Sequence, residues 1–284
     1  MLADYRCFFC FVRSIEKMLE KENFDQEKKR RFTFEMTRLY QQTEDGTITT
    51  SFSRELYASL RRYSGNPDPY KEIKKSSNEF VLSLYPEMKK LVQDSVNPFE
   101  TALRLAISGN IIDYAINDQF DLMATIDKVL NSDFAINHSE ALREAIGKAE
   151  TVLYLGDNCG EIVFDKLFIE TLAHPNLIYA VRGAPVINDA TMEDAEFVGM
   201  TNVARVVSNG YDAPSTLVEH CSEEFLEIYN KADVIISKGQ GNLEGLFESP
   251  NQHIFFLLMV KCNVVAERLG VKKDSFVVRQ NKGN

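Results

Sequence analysis

From about Glu150 onward, short apolar runs alternate with helix-length amphipathic runs, and this alternation restricts the fold more than any other feature of the chain. Strand candidates fall at 151–155, 177–181, 203–207, 234–236 and 253–260, with helix candidates near 161–173, 189–198, 214–231 and 243–248 between them. Parallel neighbours need a crossover, and a helix is the usual one, so regular alternation predicts an α/β fold with a mainly parallel sheet and helices on both faces. Residues before 148 read as helical. Val12, Ile15, Met18 and Leu19 repeat at helical spacing, and a buried helix or helix pair is expected over 97–116, opened by Pro98 and interrupted at Gly109-Asn110. Two more helices are expected at 126–130 and 141–149. Pro67, Pro69, Pro86 and Pro98 are read as breaks between helices. The expected division is a helical domain over 1–148, forming a cleft wall, and an α/β domain over 149–284.

The net charge of −10 disfavours a nucleic-acid surface, because phosphate binding needs clustered Lys and Arg. The one basic run, Lys28-Lys29-Arg30-Arg31, has acidic neighbours and reads as a solvated helix face. The longest apolar run, 254–260, is too short to span a bilayer, so no membrane association is expected. Charges at Asp4, Arg6, Arg13 and Glu16 interrupt any secretory h-region, and the expected location is the cytoplasm. An odd count of five cysteines fits reduced thiols.

Four segments that follow strand candidates are polar. They are Gly156-Asp157-Asn158, 182–189, 208–214 and Ser237-Lys238-Gly239-Gln240-Gly241-Asn242. In a parallel sheet such loops open on one edge, where α/β folds place their ligands. Asp157, Asn158 and Asp189 would then offer a hard cation three oxygen donors. Lys238 could bring a positive charge, and glycines could bare backbone N–H groups toward an anion. A divalent metal beside an anion-binding lysine suits phosphoryl chemistry. Taken singly, each piece has a plainer reading: an Asx-turn or helix N-cap for Asp157-Asn158, an N-cap for Asp189, and a surface residue for Lys238.

The run Leu155-Gly156-Asp157-Asn158-Cys159-Gly160-Glu161-Ile162-Val163-Phe164-Asp165-Lys166 resembles the signature of the DUF89 family, the ARMT1-like damage-control phosphatases. Pro185-Val186-Ile187-Asn188-Asp189-Ala190-Thr191 and Lys238-Gly239-Gln240-Gly241-Asn242 resemble its second and third motifs. Ala106-Ile107-Ser108-Gly109-Asn110-Ile111-Ile112-Asp113 resembles its Gly-Asn-x-x-Asp element. The Cys7-x-x-Cys10 start is similar to the stand-alone prokaryotic branch. The resemblance implies a helical domain joined to a Rossmann-like domain, and metal-dependent hydrolysis of phosphate monoesters such as sugar phosphates or damaged phosphometabolites. It implies metal ligation by Asp157, Asn158 and Asp189, phosphate contact by Lys238, and substrate contact by Asn110 and Asp113. Built on it, the expected substrate-binding set adds Gly160, Asn188, Gly239, Gly241 and Asn242, with Mg²⁺, Mn²⁺, Co²⁺ or Ni²⁺ as the cation. The expected partner is a small phosphorylated metabolite; oligomeric state is left open.

Asp157 or Asp189 would align the attacking water. Asp157 as a covalent nucleophile is disfavoured, since Cys159 breaks the Asp-x-Asp pattern of aspartyl-phosphate enzymes. An S-adenosylmethionine-dependent methyltransferase is the chief rival. The glycine-rich first loop and the acidic end of the second strand that it wants are replaced here by Asp157-Asn158-Cys159 and Arg182. A non-catalytic protein that binds a phosphometabolite is the other alternative. Cys7-x-x-Cys10 is half a zinc site at most, and packing, metal and redox roles stay open for it.

Overall fold

The computed structural model describes residues 1–43, 49–109 and 122–283. Seven strands form one sheet: β1 Phe134–Asn137, β2 Val152–Leu155, β3 Leu177–Val181, β4 Arg205–Ser208, β5 Val234–Lys238, β6 Ile254–Met259 and β7 Phe276–Gln280. Their order is β1-β7-β6-β5-β2-β3-β4, and every pair is parallel except β6–β7. β2, β3, β5 and β6 are buried along their whole length, as expected of strands covered on both faces. The order reverses between β2 and β5. The chain runs outward to β3 and β4 on one side and to β6 and β7 on the other, so β2 and β5 flank the switch point, the place where such sheets put their ligands.

Before the sheet come α1 (Tyr5–Lys21), α2 (Gln26–Gln41), α3 (Thr49–Ser64), α4 (Lys71–Asp94), α5 (Pro98–Ser108) and α6 (Leu122–Asn131). Among the strands lie α7 (Ser139–Lys148), α8 (Glu161–Leu172), α9 (Met192–Phe197), α10 (Glu223–Lys231), α11 (Gly239–Leu246) and α12 (Asn263–Leu269). One sheet face packs on α4, α5 and α8 through Val81, Met88, Ala102, Ile107, Ile162 and Phe168. The other packs on α10, α11 and α12 through Phe225, Leu243 and Val265. α1, α2 and α3 keep a core of their own, built on Phe11, Met18, Phe32, Met36 and Leu56.

Two expectations for the first 148 residues need correction. They are not wholly helical, since Phe134–Asn137 pairs with β7 as an edge strand. Nor does Pro86 end a helix: it sits inside α4. Pro86 is exposed, so solvent can take the backbone carbonyl that loses its N–H partner. The Asn97 side chain caps α5, accepting from the Glu100 N–H at 3.2 Å, and Pro98 takes the first helical position. Asn110 and Asp113 lie outside the described residues.

Candidate active site

The turn after β2 and the loop after β3 are stitched together by backbone. The Cys159 N–H donates to the Asn188 carbonyl and the Ala190 N–H to the Asp157 carbonyl, each at 2.8 Å. An isolated antiparallel bridge joins Asn158 to Asp189. The three oxygen donors expected from the sequence therefore meet, and all are buried: Asp157 at 6% exposure, Asn158 at 7% and Asp189 at 2%. None is a helix cap. Gly160 precedes α8 with φ of 79°, and Thr191 caps α9 in a capping box with Asp194.

Arg182, at the end of β3, holds the carboxylates in place. Its Nε donates to Asp189 Oδ2 at 2.6 Å, one terminal nitrogen lies 3.7 Å from Asp157 Oδ1, and the other donates to Asn242 Oδ1 at 3.1 Å. Asn158 Nδ2 donates to Asp157 Oδ2 at 2.9 Å. That bond turns the amide nitrogen onto its neighbour and leaves the amide oxygen as the donor of the Asn158 side chain toward a cation. Burial pushes the Asp157 carboxyl above the usual range, against the pull of Lys261, Arg182 and Lys238.

Lys238 was expected at the phosphate; the structure turns it elsewhere. Its ammonium is fully buried and donates to Glu161 at 2.5 Å and to Asp165 at 2.6 Å. Tyr154 and Tyr179 hydroxyls donate to the same Asp165 at 2.7 and 2.9 Å. Lys238 thus anchors β5 to α8 from beneath the site, and the two carboxylates keep it charged at a pKa above its ordinary value despite burial. Burial lifts Glu161 well above the ordinary carboxylate range; Lys238 opposes this, and Asp157 and Asp165 reinforce it.

Several residues expected to contact substrate make close contacts within the protein. The Gly160 N–H donates to Asn78 Oδ1 on α4 at 2.6 Å. Asn242 is spent within the protein: its Nδ2 donates to the Gly156 and Lys238 carbonyls, and its Oδ1 accepts from Thr216 and Arg182. Gly241 presses on the Pro214 carbonyl, where a Cβ would come within 2.3 Å. Gly239 has φ of 77°, and a Cβ there would meet Asp157 Oδ2 at 1.9 Å, so only glycine lets the start of α11 approach this carboxylate. Asn188, by contrast, lines a cavity with Ser14, Lys17 and Tyr57.

Four residues of the site escaped sequence reasoning: Glu161, Asp165, Arg182 as a carboxylate partner, and Lys261. The signal for the acids was present, since α8 is apolar nearly all round and its two inward acids at a spacing of four needed a buried cation. Lys261 follows β6 and is half-buried; among charged groups it acts most strongly on Asp157.

Among the described residues no group of three His, Cys, Asp or Glu side chains is spaced to hold a metal. The set that fits is two carboxylates and a carboxamide. Around it, Asp157, Glu161, Asp165 and Asp189 are four buried acids, against two buried cations, Arg182 and Lys238. A divalent cation would add to the positive charge that Arg182, Lys238 and Lys261 bring to these acids, and oxygen donors suit a hard ion. The five cysteines are free thiols, with Cys7 and Cys10 lining a cavity beside α3.

The sequence matches the damage-control phosphatase ARMT1-like domain over residues 3–277. It is 34% identical to a damage-control phosphatase of Pyrococcus horikoshii, over 99% of both chains. It is 32% identical to a damage-control phosphatase of Archaeoglobus fulgidus, over 82% of this chain and 81% of that one. The crystal structure of a DUF89 family protein from Pyrococcus horikoshii superposes with a TM-score of 0.92, at 34% identity, covering 99% of this chain and 100% of the other. A profile that spans nearly the whole chain and a shared fold from end to end lead to one conclusion: the protein belongs to the ARMT1-like damage-control phosphatase family, DUF89.

Proposed function

We propose that this chain is a divalent-metal-dependent phosphatase that hydrolyses phosphate monoesters of small metabolites. The observation that carries the reading is the convergence of Asp157, Asn158 and Asp189 beside the switch point between β2 and β5, among further buried acids. Two damage-control phosphatases, each at least 32% identical to this chain, support the phosphatase reading.

These three residues would hold the cation, whose chemistry is to polarise a phosphoryl oxygen and lower the pKa of bound water. The chain's own residues do the rest. Arg182 keeps both carboxylates oriented through its bonds to Asp189 and Asn242 and its approach to Asp157. Lys261, at the end of β6, brings positive charge toward the phosphate from the side of Asp157. Lys238 positions Glu161 and Asp165. Asp157 aligns or deprotonates the attacking water. The site lies under α1 and α3, which wall the cleft opposite the sheet.

The test is hydrolysis of p-nitrophenyl phosphate by chelated protein, with Mg²⁺, Mn²⁺, Co²⁺ and Ni²⁺ restored singly. Activity should vanish on chelation, return with metal, and be absent from Asp157→Ala. Turnover that survives either chelation or this substitution would overturn the reading. Methyl transfer from a sulfonium needs no cation, so metal dependence also separates the phosphatase from its rival.

A further inference from the structure

The cleft wall carries charge that the proposed reaction does not use. On α1, Arg13, Lys17 and Lys21 recur every four residues and so share one helix face. None of the three forms an ion pair among the described residues, although the chain has 42 acidic residues against 32 basic ones. Lys17 and Lys21 line a cavity of about 460 Å³ with Ser14, Tyr57, Tyr70 and Asn188, and among the described residues no acidic side chain lines it. The Lys21 ammonium lies 4.5 Å from the centre of the Tyr70 ring, which holds it against the cavity wall.

This cavity adjoins the candidate active site through Asn188. It lines the cavity, its carbonyl accepts from the Cys159 N–H, and its neighbour Asp189 belongs to the candidate cation set. Tyr57 lines the cavity and feels the charge of Asp189. Ile187 adopts φ of 47°, a left-handed conformation that a β-branched residue rarely accepts, in the loop that carries Asn188 into the cavity.

We infer that Lys17 and Lys21 bind a second anionic group of the substrate, a phosphate or a carboxylate at the end remote from the ester that is cleaved. The inference rests on the phosphatase reading and narrows it to doubly anionic phosphometabolites. Unpaired cations facing an acid-free cavity raise the local concentration of anions in an otherwise acidic protein. Tyr57, Tyr70, Ser14 and Asn188 give the same cavity a partly polar wall, which suits a hydroxylated carbon chain.

Binding is measured by calorimetry on the metal-loaded protein with three probes: fructose bisphosphate, phosphogluconate and fructose monophosphate. The intact protein should bind at least one doubly anionic probe roughly tenfold more tightly than the monophosphate, the scale of two partly exposed charge contacts. The probe preferred tells phosphate from carboxylate. In Lys17→Ala/Lys21→Ala the preference should disappear, while turnover of p-nitrophenyl phosphate stays unchanged. Equal affinity for all three probes, or a preference that survives both substitutions, overturns the inference. A protein that keeps the preference but hydrolyses no ester with any metal would sink the phosphatase reading and leave the anion site standing.

Discussion

Lys238 and Lys261 show how position in the sheet decides what a lysine does. Lys238 is still within β5, and its side chain goes down between β2 and α8 to Glu161 and Asp165. Lys261 lies just past the end of β6, half-buried, where its charge reaches Asp157. Sequence reading placed Lys238 at the phosphate because the motif ends a strand, yet a one-residue difference in where a strand stops reverses the side a residue faces. The oxygen donors were legible because they fall in turns, where direction follows from the loop; the supporting ion network was not, because its members come from β5 and α8, 77 and 73 residues apart. The anchor role is checkable. Lys238→Met should cost about 3–5 kcal/mol in denaturant unfolding, since it strands two buried carboxylates without their cation. Unchanged stability with a raised KM would instead return Lys238 to the substrate.

At the scale of elements, the link between the α1–α3 core and the sheet is concentrated in α3. Arg54 and Arg61 both donate to Asp212, in the loop after β4, at 2.5 Å, and Arg61 also donates to the Pro185 carbonyl at 2.5 Å. Burial opposes ionisation of Asp212, but the hydrogen bonds and charges of the two arginines outweigh it and hold its pKa below the ordinary value. A depressed carboxyl pKa means that the unfolded chain binds more protons, so this contribution is present above the ordinary Asp pKa and fades as pH falls through the folded value. Asp212→Asn should speed amide exchange in α1–α3 near neutral pH, with that of β2 and β5 unchanged, and the difference from the parent should shrink in acid. Uniform exchange across both regions would mean that the helices and the sheet open as one unit. The clasp was invisible in the sequence because it joins residues more than 150 apart, as was β1, a four-residue edge strand with only every second residue partly covered. The central strands were legible for the opposite reason. They are continuous apolar runs bounded by turns, and burial on both faces demands that pattern.

For the molecule as a whole, the excess of buried acid makes stability a reporter of the cation. Asp157, Glu161, Asp165 and Asp189 are almost wholly removed from water, and the buried cations paired with them are Arg182 and Lys238. A cation-free fold must relieve the imbalance by holding protons, and the raised position of Glu161 is the expected sign of it. A ligand that binds only the folded chain stabilises it by about 2.7 kcal/mol at a hundred times its dissociation constant. Saturating Mg²⁺, Mn²⁺, Co²⁺ or Ni²⁺ should therefore raise the melting temperature of the chelated protein by several degrees, roughly 2–4 °C per kcal/mol at this chain length. Asp157→Asn keeps the shape of the residue and removes one ligand charge, so it should lose most of that rise and melt at or above the parent in chelator. If metal shifts the parent and the variant alike, the cation binds elsewhere. If it shifts neither, the carboxylates are balanced by protons and by Lys261, and the chemistry of the site must be sought without a metal.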